Sequence, residues 1–347
     1  MIGVLLVNLG SPATPSPADV GTYLREFLMD EYVIDLPKTL RWALVNLAIV
    51  PRRKYASAKL YQSVWMKEGS PLLVNTYSLA NGLQRHLGNS FKVAVGMRYG
   101  QPTISAAMTN LIQHQVERIL AVPLYPQYAE SSFETAVQSI QRAARENSMA
   151  DGVAILPPFY DSPGYLDASA DQVRAHLVQH PDSHIVFSYH SLPERHIKRL
   201  DSSGQHCLQR ADCCEQILEC NARCYRAQCE ATTRAIAQRL GLQPSQYSLA
   251  FQSRLGRQKW IGPQTSDVLQ QLAQRDIKQV AVTCPSFVAD CLETLEEIAI
   301  RARETFLQSG GNDLTLVKAL NAEPVWVQAL TSLVNDFADQ PDLSQNK

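Results

Sequence analysis

The chain has 347 residues, is 45% hydrophobic and 19% charged, and carries a formal net charge of −1. That balance removes the electrostatic basis for binding nucleic acid, while the length allows two domains on a prior of roughly 150 residues each. Met1 leads directly into IGVLLVNLG without the basic start of a signal peptide, and no apolar run reaches the roughly 18 residues that span a bilayer. The expectation is a cytoplasmic protein, with peripheral membrane contact left open.

In chain order, Ile2–Asn8 is apolar and β-branched, and Gly10, Pro12, Pro15 and Pro17 then break it. A strand is predicted, followed by a loop and a helix from about Ala18 to Met29, so Asn8 and Leu9 should close the strand. Thr39–Val50 reads as an apolar helix, followed by a basic corner, Pro51-Arg52-Arg53-Lys54. This corner is either simply solvated or able to hold an acidic ligand group. Helices are predicted over Tyr77–His86, Pro102–His114 and Ser132–Arg145, with strands over Lys92–Met97, Arg118–Val122 and Val153–Leu156. The strand at Arg118–Val122 runs out into Pro123-Leu124-Tyr125-Pro126.

The alternation then repeats. Helices are predicted over Tyr165–His180, Cys220–Leu240, Thr265–Arg275, Phe287–Gln308 and Trp326–Phe337. The strands between them are Ile185–Phe187, Tyr247–Phe251, Gln279–Thr283 and Leu314–Val317. The tail after Asp339 reads as frayed. Strand–helix alternation implies parallel sheets with helices on both faces. Four strands in each half suggest two similar doubly wound domains, with a linker near Pro157–Gly164 where proline, glycine and aspartate concentrate. Neither GxGxxG nor GxxxxGK[ST] occurs, which argues against a nucleotide cofactor.

Three stretches carry chemistry. In IVFSYHSLPERH, Ile185–His196, an apolar strand stops just before His190. Ligands bind at the carboxyl ends of strands in open α/β sheets. A histidine there can move a proton, hold a metal, or simply be a hydrogen-bonded turn residue. In CPSFVADCLETLEE, a helix from Phe287 would put Asp290, Glu293 and Glu297 on one face at i, i+3 and i+7. Such a row is a solvated acidic face or a site for hard divalent cations. In FQSRLGRQKWIGPQT, a loop carrying Arg254, Arg257 and Trp260 is, taken alone, a packed loop with a surface basic pair, or else suits a flat ligand bearing acid groups.

Those three segments, together with VNLGSPATPSPADVGTYLREFLMD and VPLYPQYAESS, resemble the signature segments of the ferrochelatase family, in the right order and over almost the whole chain. Ser191 and Ser286 stand where the family pattern has glycine. The resemblance implies two Rossmann-like domains without nucleotide, each a four-stranded parallel sheet flanked by helices, at 1–157 and 158–322. It also implies a C-terminal helix, 323–338, that packs back on the first domain, and an active-site cleft between the domains. The implied activity is insertion of Fe²⁺ into protoporphyrin IX with release of two protons, the last step of heme synthesis; coproporphyrin stays open as the substrate. His190 corresponds to the family's active-site histidine and Glu293 to the acid opposite it. Asp290 and Glu297 continue a row of acids for the iron. Asn8, Leu9, Arg52, Arg53, Tyr125 and Trp260 fall in the segments that line the porphyrin cleft.

These residue types meet the demands of the chemistry. A metal cannot enter a porphyrin while two N–H groups block its centre. The protein must distort the ring, accept two protons and strip water from Fe²⁺. A rigid apolar cleft supplies distortion from remote binding energy, and histidine, with a pKa near 6.5, accepts protons at neutral pH.

The cysteines are read separately. Six of the eight lie between Cys207 and Cys229, which in a reducing compartment favours metal over disulfide. The paired C-x2-C spacing of zinc sites is absent, while iron–sulfur clusters need four thiolates. Some family members carry a [2Fe–2S] cluster, and the resemblance extends to those with an internal cysteine-rich insert, here 201–230. On that pattern Cys207, Cys214, Cys224 and Cys229 are the expected ligands, with Cys213 able to replace Cys214; the alternative is a set of free thiols on a helical hairpin.

Overall fold

The computed structural model describes residues 1–254 and 258–339. The chain divides into two compact units. Among the described residues, the first comprises Met1–Tyr125, Glu130–Pro158 and 321–339; the second comprises Pro126–Ala129 and the described part of Phe159–Leu320.

The first unit opens with β1 (Ile2–Ser11) and α1 (Pro17–Leu28). A long helical stretch follows: α2 (Lys38–Ala43), a π-helical turn (Leu44–Ile49) and α3 (Val50–Val64). Next come α4 (Pro71–Leu87), β2 (Phe91–Gly100), α5 (Ile104–Gln113) and β3 (Arg118–Pro123). A second π-helical turn (Glu130–Glu134) leads into α6 (Thr135–Glu146), and β4 (Val153–Ile155) completes the sheet. All strands are parallel, in the order β2-β1-β3-β4. Val4, Leu5, Leu6 and Val7 of β1 are fully buried, as a central strand covered on both faces requires.

The second unit contains α7 (Pro163–Gln179), β5 (His184–His190), α8 (Glu194–Arg199), α9 (Tyr225–Leu240) and β6 (Tyr247–Gln252). It continues with α10 (Thr265–Gln274), β7 (Gln279–Thr283) and α11 (Leu292–Leu295). A third π-helical turn (Glu297–Ala302), α12 (Arg303–Gln308) and β8 (Asp313–Leu316) follow. Its sheet is parallel in the order β6-β5-β7-β8, the same plan as the first. The chain then returns to the first unit with α13 (Pro324–Ala338). There Trp326 and Leu330 are fully buried, and Val327 closes over the bare face of Gly82 in α4.

Local chemistry explains where the elements begin. Ser70 caps α4 by accepting the Leu73 N–H, and Pro71 occupies the first turn, where a missing N–H costs nothing. The helix therefore starts six residues before the apolar pattern suggested.

Four readings are corrected. β1 runs on to Ser11, so Asn8 and Leu9 lie inside it. Gly10 permits this: its φ is +109°, and a Cβ there would stand 1.8 Å from the Tyr99 carbonyl oxygen on β2. Arg52 and Arg53 do not form a corner; they lie in the first turn of α3, which continues directly from the π-helical turn. The helix expected from Phe287 begins only at Leu292, so Asp290 lies ahead of it. The helix expected from Cys220 begins at Tyr225, with turns and a short 3₁₀ segment (Glu219–Asn221) before it.

Candidate active site

In each sheet the chain leaves the central strand in one direction and later crosses to the other side. Switch points therefore fall between β1 and β3 and between β5 and β7, and open α/β sheets bind ligands at the carboxyl ends of strands at such points. His190 is the last residue of β5; the loop carrying Phe287 and Asp290 follows β7, and Glu293 lies in the helix that this loop leads into. Asn8 and Leu9 lie near the carboxyl end of β1, and Tyr125 just beyond β3.

His190 is half-buried. Its Nδ1 lies 2.6 Å from the Ser191 carbonyl oxygen, and its ring centroid is 6.4 Å from that of Phe287. An Nδ1–H donated to that carbonyl leaves Nε2 as the free base or metal ligand. Ser191 is buried and donates its hydroxyl to the Ile261 carbonyl at 2.8 Å, so a side chain on this turn is used rather than merely tolerated.

The acids are held one by one. Cys291 is the N-cap of α11: its sulfur faces the Thr294 N–H while the Thr294 hydroxyl accepts from the Cys291 N–H. This reciprocal box starts the helix at Leu292. Glu293 lies in its first turn and Glu297 at the start of the π-helical turn. Asp290 is buried, and its Oδ1 accepts from the Thr294 hydroxyl at 2.9 Å and the Ala319 N–H at 3.3 Å. Glu297 accepts the Ser253 N–H at 2.8 Å and the Ser253 hydroxyl at 2.5 Å. The Cys291 thiol is pushed well up by burial and then by the Glu293 charge, so it stays protonated beside that carboxylate.

In the first unit, Asn8 donates its Nδ2 to the Thr76 hydroxyl at 3.1 Å and accepts the Leu9 N–H on Oδ1 at 2.8 Å. The Tyr125 hydroxyl is buried without a hydrogen-bond partner, and burial raises its pKa. An orphaned donor of this kind costs free energy unless something meets it. Arg52 and Arg53 are exposed on α3. In the second unit, Trp260 lies alongside Pro193 in a short antiparallel bridge, and its buried Nε1–H also lacks a partner. A cavity of about 300 Å³ is lined there by Arg254, Lys259, Trp260 and Asp267, among others. Arg257 lies outside the described residues.

The cysteine segment is tied by polar side chains rather than by helices. The Asp201 carboxylate accepts the N–H groups of Ser203, His206 and Cys207. Fully buried Asn221 donates to the carbonyls of Cys213 and Gln216 and accepts the Leu218 N–H. Cys207 and Cys214 both hydrogen-bond Cys224, the N-cap of α9. Cys224 is thereby held below the ordinary thiol range, first by the Cys214 thiol and further by the Ala227 and Arg226 N–H groups and the Cys207 thiol, against burial. Cys213 Sγ lies 3.7 Å from Cys214 Sγ. Cys229 stands apart, fully buried and hydrogen-bonded to the Tyr225 hydroxyl. Among the described residues, no three or more His, Cys, Asp or Glu side chains are arranged to receive a metal ion directly: the thiols pack on one another.

Two parallel four-stranded units of identical strand order, with chemistry at the switch points, define a chelatase-like fold. Solved structures of that class are similar. The structure of SirB from Bacillus subtilis with Fe³⁺ gives a TM-score of 0.54 at 13% identity, covering 96% of this chain and 94% of that one. The sirohydrochlorin chelatase SirB from Bacillus subtilis subspecies spizizenii, in complex with cobalt, gives 0.54 at 12% identity, covering 98% and 96%. At this identity the likeness concerns the fold alone.

Within that class the sequence is decisive. Residues 1–337 match the family profile described as Ferrochelatase. The ferrochelatase of Ectopseudomonas mendocina (strain ymp) is 47% identical over 331 residues, 95% of this chain and 96% of the relative. That of Bdellovibrio bacteriovorus is 46% identical over 335 residues, 96% and 99%. The chain belongs to the ferrochelatase family, enzymes of heme synthesis that insert iron into a porphyrin.

Proposed function

We propose that in this enzyme His190 and Glu293 take up the two pyrrole protons of protoporphyrin IX and contact the incoming Fe²⁺. Each N–H bond breaks with its electron pair left on nitrogen, and the freed pairs bind the iron as its water leaves. Glu297 and Asp290 complete the acids that serve the metal, with Asp290 also holding Thr294 and Ala319. Asn8, Leu9, Arg52, Arg53 and Tyr125 on the first unit, and Trp260 on the second, are the proposed porphyrin contacts. The observation that carries this reading is the meeting of His190 at the end of β5 with the loop after β7, where its ring lies against Phe287. Anaerobic Fe²⁺ supplied with protoporphyrin or coproporphyrin, followed by the absorption bands of the product, tests it. Faster turnover of coproporphyrin would reassign the substrate, and no metal insertion with either would reject the reading.

The cysteine segment is proposed to hold a [2Fe–2S] cluster. What supports this is donor chemistry rather than a formed site: Cys207 and Cys214 both hydrogen-bond Cys224, whose thiol is acidified, and the three thiols would have to part from one another to take up iron. Cys229 is proposed as the fourth ligand, and Cys213, whose Sγ lies 3.7 Å from that of Cys214, as the substitute for Cys214. When bound, the cluster supplies a covalent cross-link through thiolate–iron bonds.

Peripheral membrane contact at the cytoplasmic side is also proposed. Leu40, Trp42, Leu44 and Leu47 are exposed along the α2 stretch, with Lys38, Arg52 and Arg53 exposed nearby. Apolar side chains beside basic ones suit an anionic lipid surface. No helix among the described residues is long and apolar enough to cross a membrane. Sedimentation with anionic vesicles that survives Trp42→Ser combined with Leu47→Ser would remove this assignment.

A further inference from the structure

We infer that Gln252 is the positioning residue that fixes His190 and Glu293 relative to one another. This rests on the reading of those two residues given above. Gln252 is the last residue of β6, pairs in register with His190 and is buried. Its main-chain carbonyl accepts the N–H of Ser191, the residue after the histidine, at 2.7 Å. Its side-chain Nε2–H donates to the main-chain carbonyl of Glu293 at 2.8 Å. Its Oε1 accepts the Ser188 hydroxyl at 2.6 Å and the Cys284 thiol at 3.6 Å. One residue thus touches the turn that presents the histidine and the first helical turn that presents the acid.

The hydrogen-bonding capacity of the amide explains why glutamine stands here. A carbonyl acceptor on one side and a hydroxyl donor on the other demand a group that both donates and accepts. A carboxylate offers no donor to the Glu293 carbonyl, and an apolar side chain offers neither. The Glu293 carbonyl also belongs to a short helix, only Leu292–Leu295 before the π-helical turn takes over, so few bonds of its own fix its direction. A shift of about 1 Å in a catalytic group can cost on the order of a hundredfold in rate, which gives this single bond its leverage. Ser188 is one step removed: its hydroxyl also meets Thr265 at 2.7 Å, and it steadies the amide without touching either reacting residue.

The test compares Gln252→Glu, which keeps the acceptor for Ser188 but loses the donor to Glu293, with Gln252→Met, which loses both, and with Ser188→Ala. Turnover is measured anaerobically with Fe²⁺ and protoporphyrin, and porphyrin binding separately by fluorescence. Both Gln252 variants should lose roughly tenfold to hundredfold in kcat, with KM and Kd for porphyrin within about threefold of the parent, while Ser188→Ala keeps kcat within about threefold. The inference is overturned if Gln252→Glu retains its kcat, if Ser188→Ala loses as much, if kcat falls only in step with porphyrin binding, or if neither Gln252 variant folds by circular dichroism. His190→Ala and Glu293→Gln run alongside. Near-normal turnover in those two would reject the underlying reading; their inactivity combined with a fully active Gln252→Glu would reject the positioning role alone.

Discussion

At the scale of single residues, the role proposed for His190 predicts that His190→Ala abolishes iron insertion while porphyrin still binds. Glu293→Gln should slow turnover by about a hundredfold or more, and Glu297→Ala less, since the Ser253 N–H and hydroxyl already occupy both oxygens of its carboxylate. The reverse order would mean that the metal enters by another face. A second histidine makes a separate prediction. Burial, and then nearby Arg275, depress His184 to about 4, while its Nε2 lies 2.9 Å from the Ser248 hydroxyl. Between about pH 6.5 and 4 the unfolded imidazole binds a proton that the folded one refuses, so stability should fall as pH falls through that window, by about 1–2 kcal/mol. Thermal melts from pH 7 to 4.5 should show a shallower loss for His184→Gln; identical slopes would clear His184 of the effect. His190 was legible in the sequence because an apolar strand ends on it. Gln252 was not, since nothing in a sequence reveals that one amide serves two distant carbonyl and hydroxyl partners.

At the scale of elements, the parallel strands and most helices were readable from their apolar periodicity. The departures have local causes. Proline at the first helical turn and a serine cap moved α4 earlier than its apolar pattern. The Cys291–Thr294 capping box moved α11 later and left Asp290 in the loop, so the row of acids inferred from 3.6-residue spacing is split between a loop, a helix and a π-helical turn. Periodicity cannot see a cap made by a thiol, nor a turn with an extra residue. Gly10 offers a direct test of the strand that ran longer than expected. Gly10→Ala places a methyl group into the Tyr99 carbonyl at a φ that alanine rarely adopts, and should cost roughly 3 kcal/mol or more. Urea unfolding would measure it; an unchanged midpoint would mean that β1 and β2 separate there at little cost.

For the whole molecule, the cysteine segment predicts a visible property. Protein purified without oxygen from iron-replete cells should be reddish-brown, absorbing between about 400 and 600 nm and bleached by dithionite. Serine at Cys207, Cys214 or Cys224 should remove the colour and lower the melting temperature, because a thiolate–iron cross-link would add to the turns and polar bonds that hold this segment. Colourless, fully active protein would dismiss the cluster. The route of the chain has a further consequence, for the order in which a ribosome can deliver the fold. The second unit is complete once Leu320 has emerged, whereas the first lacks α13 until after that point. Until then the seat of Trp326, Val327 and Leu330, including the face of Gly82, stays open. The half begun earlier is therefore the half finished later, and while the second unit is being made the unsealed apolar surface of the first is what a chaperone would meet.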